Sequence, residues 1–200
     1  NDAADTVAMA GSAHWARALL DDAAMDLAWV IEDDAETQRL VGLALLELDV
    51  IALPFFCAES ALQYRAVTTP AYALIDIELP KQDGFELAAA LRRDRRFARL
   101  PVLFMSATNA PGHEKRALDA GALFLAKPFR LPALRDAIDE LRAQAARVAA
   151  RKRVLIVDDD PEIRAALSML VDEEGHEPIL AANAFEALDL CGGDNARPDL

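Results

Sequence analysis

Residues 72–84 read Y-A-L-I-D-I-E-L-P-K-Q-D-G. Ala73-Leu74-Ile75 is an apolar run, Asp76 ends it, Glu78 follows two residues on, and Pro80 stops any further strand. A short apolar run with an acid at its end reads as a buried parallel strand carrying a carboxylate to its tip. The form recurs along the chain. Residues 28–31 (Ala-Trp-Val-Ile) end in Glu32-Asp33-Asp34, residues 100–105 end at Ser106, and residues 122–126 end at Lys127-Pro128. Residues 50–53 form a weaker strand. Helical spacing fills the intervals at 35–48, 58–66, 84–97, 112–120 and 131–150. In the first of these, Leu40, Leu43 and Leu46 together with Val41, Leu45 and Leu48 are expected to form an apolar face. Trp29 and Phe104 are expected in the core. The alternation βαβαβαβαβα predicts a parallel sheet covered by helices on both faces.

In such a sheet, ligands bind beyond the carboxyl ends of the strands. Glu32 and Asp33, Asp76, Ser106 and Lys127 are all expected to arrive at that edge. Each alone reads blandly, as a solvated strand end, a cap or a surface lysine; it is their joint arrival at successive strand ends that points to function. Three neighbouring carboxylates repel one another and take up protons. A hard divalent cation relieves this, and Mg²⁺ prefers oxygen ligands while leaving positions for water and phosphate oxygen. Lys127 suits one phosphoryl oxygen, the Ser106 hydroxyl another, and Asp76 is placed as the nucleophile that forms an acyl phosphate.

The acidic pair Glu32-Asp33, the block I-D-I-E-L-P-x-x-D-G at 75–84, the block P-V-L-F-M-S-A at 101–107 and G-A-L-F-L-A-K-P-F at 121–129 together resemble the receiver (response regulator) domains of two-component signalling. The resemblance covers residues 28–143. It implies a flavodoxin-like (βα)5 doubly wound sheet of order 2-1-3-4-5. It also implies Asp76 as phosphoacceptor, Asp33 as a direct Mg²⁺ ligand, Glu32 acting through water and Glu78 through its backbone carbonyl. Ser106 would be the switch hydroxyl, Lys127 the phosphoryl-binding lysine, Phe124 the switch aromatic, and Lys127-Pro128 a cis bond. The implied partners are a histidine kinase or phosphotransfer protein, and a homodimer through the face of the fourth helix, fifth strand and fifth helix. Glu32 stands where Asp is commoner in the family, and Phe124 replaces a frequent Tyr.

After Arg151-Lys152-Arg153 the pattern restarts. Residues 154–157 (Val-Leu-Ile-Val) end in Asp158-Asp159-Asp160. Asp33 recurs as Asp159, Glu36 as Glu162, Glu47 as Glu173, Ala58 as Ala184, and Ala61-Leu62 as Ala187-Leu188. A spacing held without a gap reads as an internal repeat. The sequence therefore implies tandem receivers: an N-terminal linker or end of a preceding domain at 1–27, a complete receiver at 28–143, a helical linker at 144–152 and a partial copy at 153–200. The partial copy carries the acidic pair Asp158 and Asp159 and ends, at the same spacing, two residues before a counterpart of Asp76. Residues 14–25 are expected to be helical.

A net charge of −13 and a pI near 4.6 argue against a nucleic-acid surface within this stretch. The basic group Arg92, Arg93, Arg95, Arg96 and Arg99 is expected to be a solvated helix end. Cys57 and Cys191 read as small buried hydrophobes of a reducing, cytoplasmic compartment, and the chain offers no long apolar run and no signal peptide. His14, His113 and His176 are scattered and read as neither phosphodonors nor ligands. The leading expectation is a phosphoacceptor signalling domain that catalyses only its own phosphorylation and dephosphorylation. Two alternatives stand beside it: a phosphorylation-independent interaction or dimerisation module, and an aspartyl-phosphate phosphatase of the haloacid dehalogenase type. The last is disfavoured because Asp76 lies on the third strand and no Thr follows in the required place. No helix-turn-helix, GGDEF block or kinase motif indicates an output.

Overall fold

A computed structural model describes residues 25–106, 112–192 and 198–199. The expected helix at 14–25, most of the segment 1–27, Ala107 and Leu200 lie outside those residues. The chain divides into two compact units, Asn1–Ala145 and Ala146–Leu200.

In the first unit, β1 (Asp26–Ile31), β2 (Val50–Phe55), β3 (Tyr72–Asp76), β4 (Val102–Ser106) and β5 (Leu123–Ala126) form one parallel sheet of order β2-β1-β3-β4-β5. The helices are α1 (Ala35–Leu46), α2 (Ala58–Tyr64), α3 (Gly84–Arg92), α4 (His113–Asp119) and α5 (Leu131–Ala150), with a 3₁₀ turn at Arg95–Phe97. Because successive strand residues face opposite ways, the sheet feeds two cores. On one face Trp29, Ile31, Phe55, Ile75 and Phe104 pack with α2, α3 and α4; on the other Val30, Val50, Leu74, Leu103 and Met105 pack with α1 and α5. β2 is an edge strand, which is why Pro54 can sit in it without breaking an inner ladder.

Local chemistry fixes where the helices begin and end. Asp34 caps α1 by accepting from the Thr37 N–H at 2.7 Å. Asp83 and Glu86 close a reciprocal capping box on α3. Gly121, at φ 66°, ends α4 in the left-handed region. Two polar side chains then tie elements together. The buried Gln38 amide donates to the carbonyls of Val30 and Phe55 at 3.2 and 3.0 Å, fastening α1 to the carboxyl ends of β1 and β2. At the opposite edge the Arg142 guanidinium donates to Asp26 Oδ2 at 2.7 Å and to the Leu48 carbonyl at 2.6 Å. Tyr72 donates its hydroxyl to the same Asp26 oxygen, so α5 is clamped to β1 and β3.

Three side-chain expectations need correction. α1 buries Val41 and Leu45, and Leu48 just after it, but leaves Leu40, Leu43 and Leu46 more than half exposed. Its inward stripe is Gln38, Val41 and Leu45, and the three leucines fall on the adjoining side of the helix. Cys57 is only half-buried and Cys191 is exposed. Arg92 is not a solvated helix end: its guanidinium crosses to the Ala120 carbonyl at 2.8 Å, and burial lowers its pKa.

The second unit contains β6 (Arg153–Val157), α6 (Pro161–Glu173), β7 (Glu177–Ala181) and α7 (Ala184–Gly192), with β6 and β7 paired in parallel as a two-stranded sheet. Arg153 lies opposite Glu177 as Asp26 lies opposite Val50, the same separation in sequence. Asp160 caps α6 as Asp34 caps α1, and the Asp158 N–H reaches the Ala181 carbonyl as the Glu32 N–H reaches that of Phe55. Burial differs sharply. Ile156 and Ala181 are the only buried apolar residues described in this unit, and α6 and α7 bury none.

Gln38→Ala removes two hydrogen bonds from buried carbonyls and leaves space beneath α1. A loss of about 1–3 kcal/mol in the stability of the first unit is expected in urea unfolding, with the m-value unchanged.

Candidate functional site

The carboxyl edge of the five-stranded sheet collects the site. Glu32 and Asp33 follow β1, Asp76 ends β3, Ser106 ends β4 and Lys127 follows β5. Their position is a consequence of register: Ile31, Ile75, Met105 and Ala126 lie at the ends of adjacent ladders, so the residues beside or beyond them arrive together. Carboxylate oxygens of Glu32, Asp33 and Asp76 lie within 4.8 Å of one another. Glu32 and Asp76 are buried while Asp33 is exposed. The Lys127 ammonium donates to Glu32 Oε2 at 2.5 Å and to Asp76 Oδ2 at 2.7 Å. The peptide bond that follows, Lys127-Pro128, is cis. The other Asp76 oxygen accepts from the Glu78 N–H at 3.1 Å, and the Glu78 side chain is exposed.

The electrostatics follow from this packing. Burial pushes the Glu32 carboxyl up to about 7, against the Lys127 hydrogen bond, which lowers it; the charge of Asp76 adds to the rise. Burial by itself would lower the Lys127 ammonium, but its bonds to Asp76 and Glu32 and their charges outweigh this and raise it. A carboxyl raised in this way favours folding below its ordinary range, and that contribution is lost as pH rises through about 7. One lysine thus faces three carboxyl groups, a cluster short of positive charge and composed of hard oxygen donors. That donor set fits Mg²⁺.

The structure brings together Glu32, Asp33, Asp76 and Lys127. Ser106 lies at the end of the adjoining strand, fully buried, with its hydroxyl 3.2 Å from His113 Nδ1. Phe124 sits opposite Phe104 in the β4–β5 ladder, partly buried against the same core. Asp158 and Asp159 belong to the second unit and follow β6, with Asp158 half-buried and Asp159 exposed.

Two contacts escaped the sequence reading. Gly84 enters α3 so close to β3 that a Cβ there would stand 2.3 Å from the Asp76 carbonyl oxygen and 2.9 Å from Ile75 Cγ2. The Asp83-Gly84 pair marks a turn in sequence, yet the glycine is needed for close approach to the acid-bearing strand. The second is His113 at Ser106, for which the sequence carries no signal.

A parallel sheet of this order, with an acidic cluster and a lysine at its carboxyl edge, defines a flavodoxin-like α/β domain whose donor set fits a hard cation. Residues 28–139 match the response regulator receiver domain family, and the chain belongs to it. The chain is 31% identical over 121 residues to response regulator Rre1 of Synechocystis sp., an alignment covering 59% of this chain and 52% of that protein. The fold resembles a solved sensor protein from Polaromonas sp. JS666, at 31% identity and TM-score 0.51, covering 58% of this chain and 98% of that one. It also resembles the Francisella response regulator 1452 receiver domain, at 22% identity and TM-score 0.54, covering 60% and 98%, a likeness of fold alone. The chain thus spans about half the length of Rre1. Receiver domains act in two-component phosphorelay signalling, interacting with histidine kinases or phosphotransfer proteins; aspartate phosphorylation and Mg²⁺ fit that family. Among the described residues no helix is long and apolar enough to cross a membrane.

Gly84→Ala must displace either α3 or the Asp76 backbone. A destabilisation of about 1–3 kcal/mol is expected in urea unfolding, accompanied by weaker Mg²⁺ binding in a titration of the folded variant.

Proposed function

We propose that Asp76 is the phosphoacceptor of this receiver. The observation that carries the reading is the Lys127 ammonium held between Asp76 and Glu32 inside the carboxylate cluster. An Asp76 carboxylate oxygen attacks the phosphorus of a phosphohistidine; the P–N bond breaks, the imidazole leaves and is protonated, and an acyl phosphate forms. Lys127 exchanges one carboxylate partner for a phosphoryl oxygen. Asp33 and Asp76 would hold Mg²⁺ directly, Glu32 through water and Glu78 through its backbone carbonyl; bound there, the cation would offset the charge of the phosphoryl oxygens. Ser106 and Phe124 carry the switch: the hydroxyl moves to the phosphoryl group, and Phe124, already partly inward, turns further into the space released. The response reads out on the face of α4, β5 and α5, where a homodimer would form. The domain works in the cytoplasm and catalyses only its own phosphorylation and dephosphorylation.

The exposed α1 leucines support the partner assignment. Leu40 lines a cleft of about 510 Å³ together with Val41, Lys127, Pro128 and Phe129, directly beside the site. Leu43 and Leu46 continue from it along the exposed side of α1, giving a helical phosphodonor an apolar surface that begins beside Lys127. Asp76→Asn should abolish labelling by acetyl phosphate and Mg²⁺, and Asp33→Ala should weaken Mg²⁺ binding at least tenfold, as loss of a charged ligand implies. Labelling of Asp76→Asn at the wild-type rate would place the nucleophile elsewhere.

We read the second unit as the start of another receiver, so that residues 28–143 and 153–200 are tandem copies joined by the helical linker 144–152. Matching strand register, matching helix caps and the matching strand-end hydrogen bond support this. The Asp199 N–H donates to the Arg153 carbonyl at 2.8 Å as the Ala71 N–H does to that of Leu27. Asp158 and Asp159 are the acidic pair of that copy, which can equally serve as a phosphorylation-independent interaction module. With its sheet two-stranded and its helices unburied, the Leu155 and Ile156 amides should exchange with deuterium faster than those of Leu74 and Ile75 in this 200-residue chain. Equal protection in the two strands would contradict the reading of 153–200 as an incomplete copy.

A further inference from the structure

The contact between Ser106 and His113 has no part in the scheme above. Ser106 Oγ lies 3.2 Å from His113 Nδ1, with the hydroxyl fully buried and the imidazole half-buried. His113 is the first residue of α4, so the hydroxyl at the end of β4 is bonded directly to the helix that follows it. The imidazole is itself placed by its neighbours. Its ring meets Phe85 edge-on, with centroids 6.2 Å apart. Phe85 packs at a tilt on Phe104, with centroids 4.3 Å apart, and the Arg116 guanidinium lies over its ring, 4.0 Å from the centroid. Arg116 in turn reaches Asp83, the cap of α3, at 3.5 Å. The start of α4 is therefore strapped to the start of α3, with the imidazole aimed at Ser106.

We infer that His113 is a positioning residue that holds the Ser106 hydroxyl away from the phosphoryl group and so sets the threshold of the switch. The inference rests on the reading of Asp76 as phosphoacceptor and of Ser106 as its hydroxyl donor. A serine has a single proton to donate. With the imidazole protonated on Nε2, the tautomer the inference requires, Nδ1 accepts that proton and withholds it from a phosphoryl oxygen, so phosphorylation must break this hydrogen bond to make another. Removing the imidazole acceptor lowers that barrier to the bound state without touching Asp76, Lys127 or the carboxylates. A ligand shifts the equilibrium only through its differential affinity for the two states, and His113 subtracts from that difference.

The test is the affinity of the whole chain for beryllofluoride with Mg²⁺, at about pH 8, above the ordinary imidazole range. Wild type, His113→Ala, His113→Phe and His113→Asn are compared, each with Ser106 and with Ser106→Ala. Phe keeps the ring and its packing on Phe85 but has no acceptor, while Asn keeps an acceptor close to the position of Nδ1. The Ala and Phe variants should bind about threefold to tenfold tighter than wild type, the range of one neutral hydrogen bond. Asn should bind as wild type does. In the Ser106→Ala background all four should be equal, because the coupling runs through the hydroxyl. Unchanged or weaker binding by both Ala and Phe overturns the inference and leaves the phosphoacceptor reading intact, as does an equal gain in the Ser106→Ala background. Absence of Mg²⁺-dependent beryllofluoride binding by wild type overturns the phosphoacceptor reading itself.

Discussion

The first unit is organised around one ammonium group. Lys127 follows β5, yet it bonds to acids that follow β1 and end β3, reaching past β4 to do so. Strand order, register and the geometry of the β5–α5 connection must all be right for that contact to exist. It also makes the acidic cluster tolerable. Glu32 and Asp76 are buried side by side, and burial already drives Glu32 to about 7. Without a cation between them, the pair would favour protonation over metal binding. The cluster is thus held together by an internal counter-ion.

Around it, the scaffold separates rigidity from response. The α1 and α5 side is fastened at both edges, by Gln38 to the carboxyl ends of β1 and β2 and by Arg142 to Asp26 and Leu48. The other side has a different character. There α3 and α4 are linked by an edge-on ring contact, a guanidinium over a ring and a long ion pair, next to the hydroxyl at the end of β4. Weak directional contacts of this kind can rearrange at small cost, whereas buried bonds to backbone carbonyls cannot.

Much of this was legible in the sequence, and the reason is physical. A buried parallel strand is an apolar run, so a polar residue at its end stands out, and the strand-end positions of Glu32, Asp33, Asp76, Ser106 and Lys127 were legible that way. Features that depend on three-dimensional crowding were not. Gly84 looks like a turn residue because sequence does not show the Asp76 carbonyl against which it packs. His113 looks like a scattered histidine because its partner is one strand end that folding alone brings near. Leu40, Leu43 and Leu46 fit a helical apolar face as well as Val41 and Leu45 do, and periodicity could not tell which stripe the sheet would cover. The Arg142 clamp joins residues from α5, β1 and the α1–β2 turn, and no local pattern announces it.

The matched register of β1–β2 and β6–β7 has a further effect, on how the chain avoids tangling with itself. Two stretches with the same strand spacing and the same caps could exchange strands during folding, a known failure of adjacent similar domains. Backbone hydrogen bonding would not object. The side chains do. At the positions of Trp29, Phe55 and Tyr64, whose rings pack together in the first unit, the second unit carries Leu155, Ala181 and Leu190. Placing β6 in the first sheet would leave a hole where the indole belongs. Side-chain volume therefore favours β1 over β6 in the first sheet, although the register of the two strand pairs is the same.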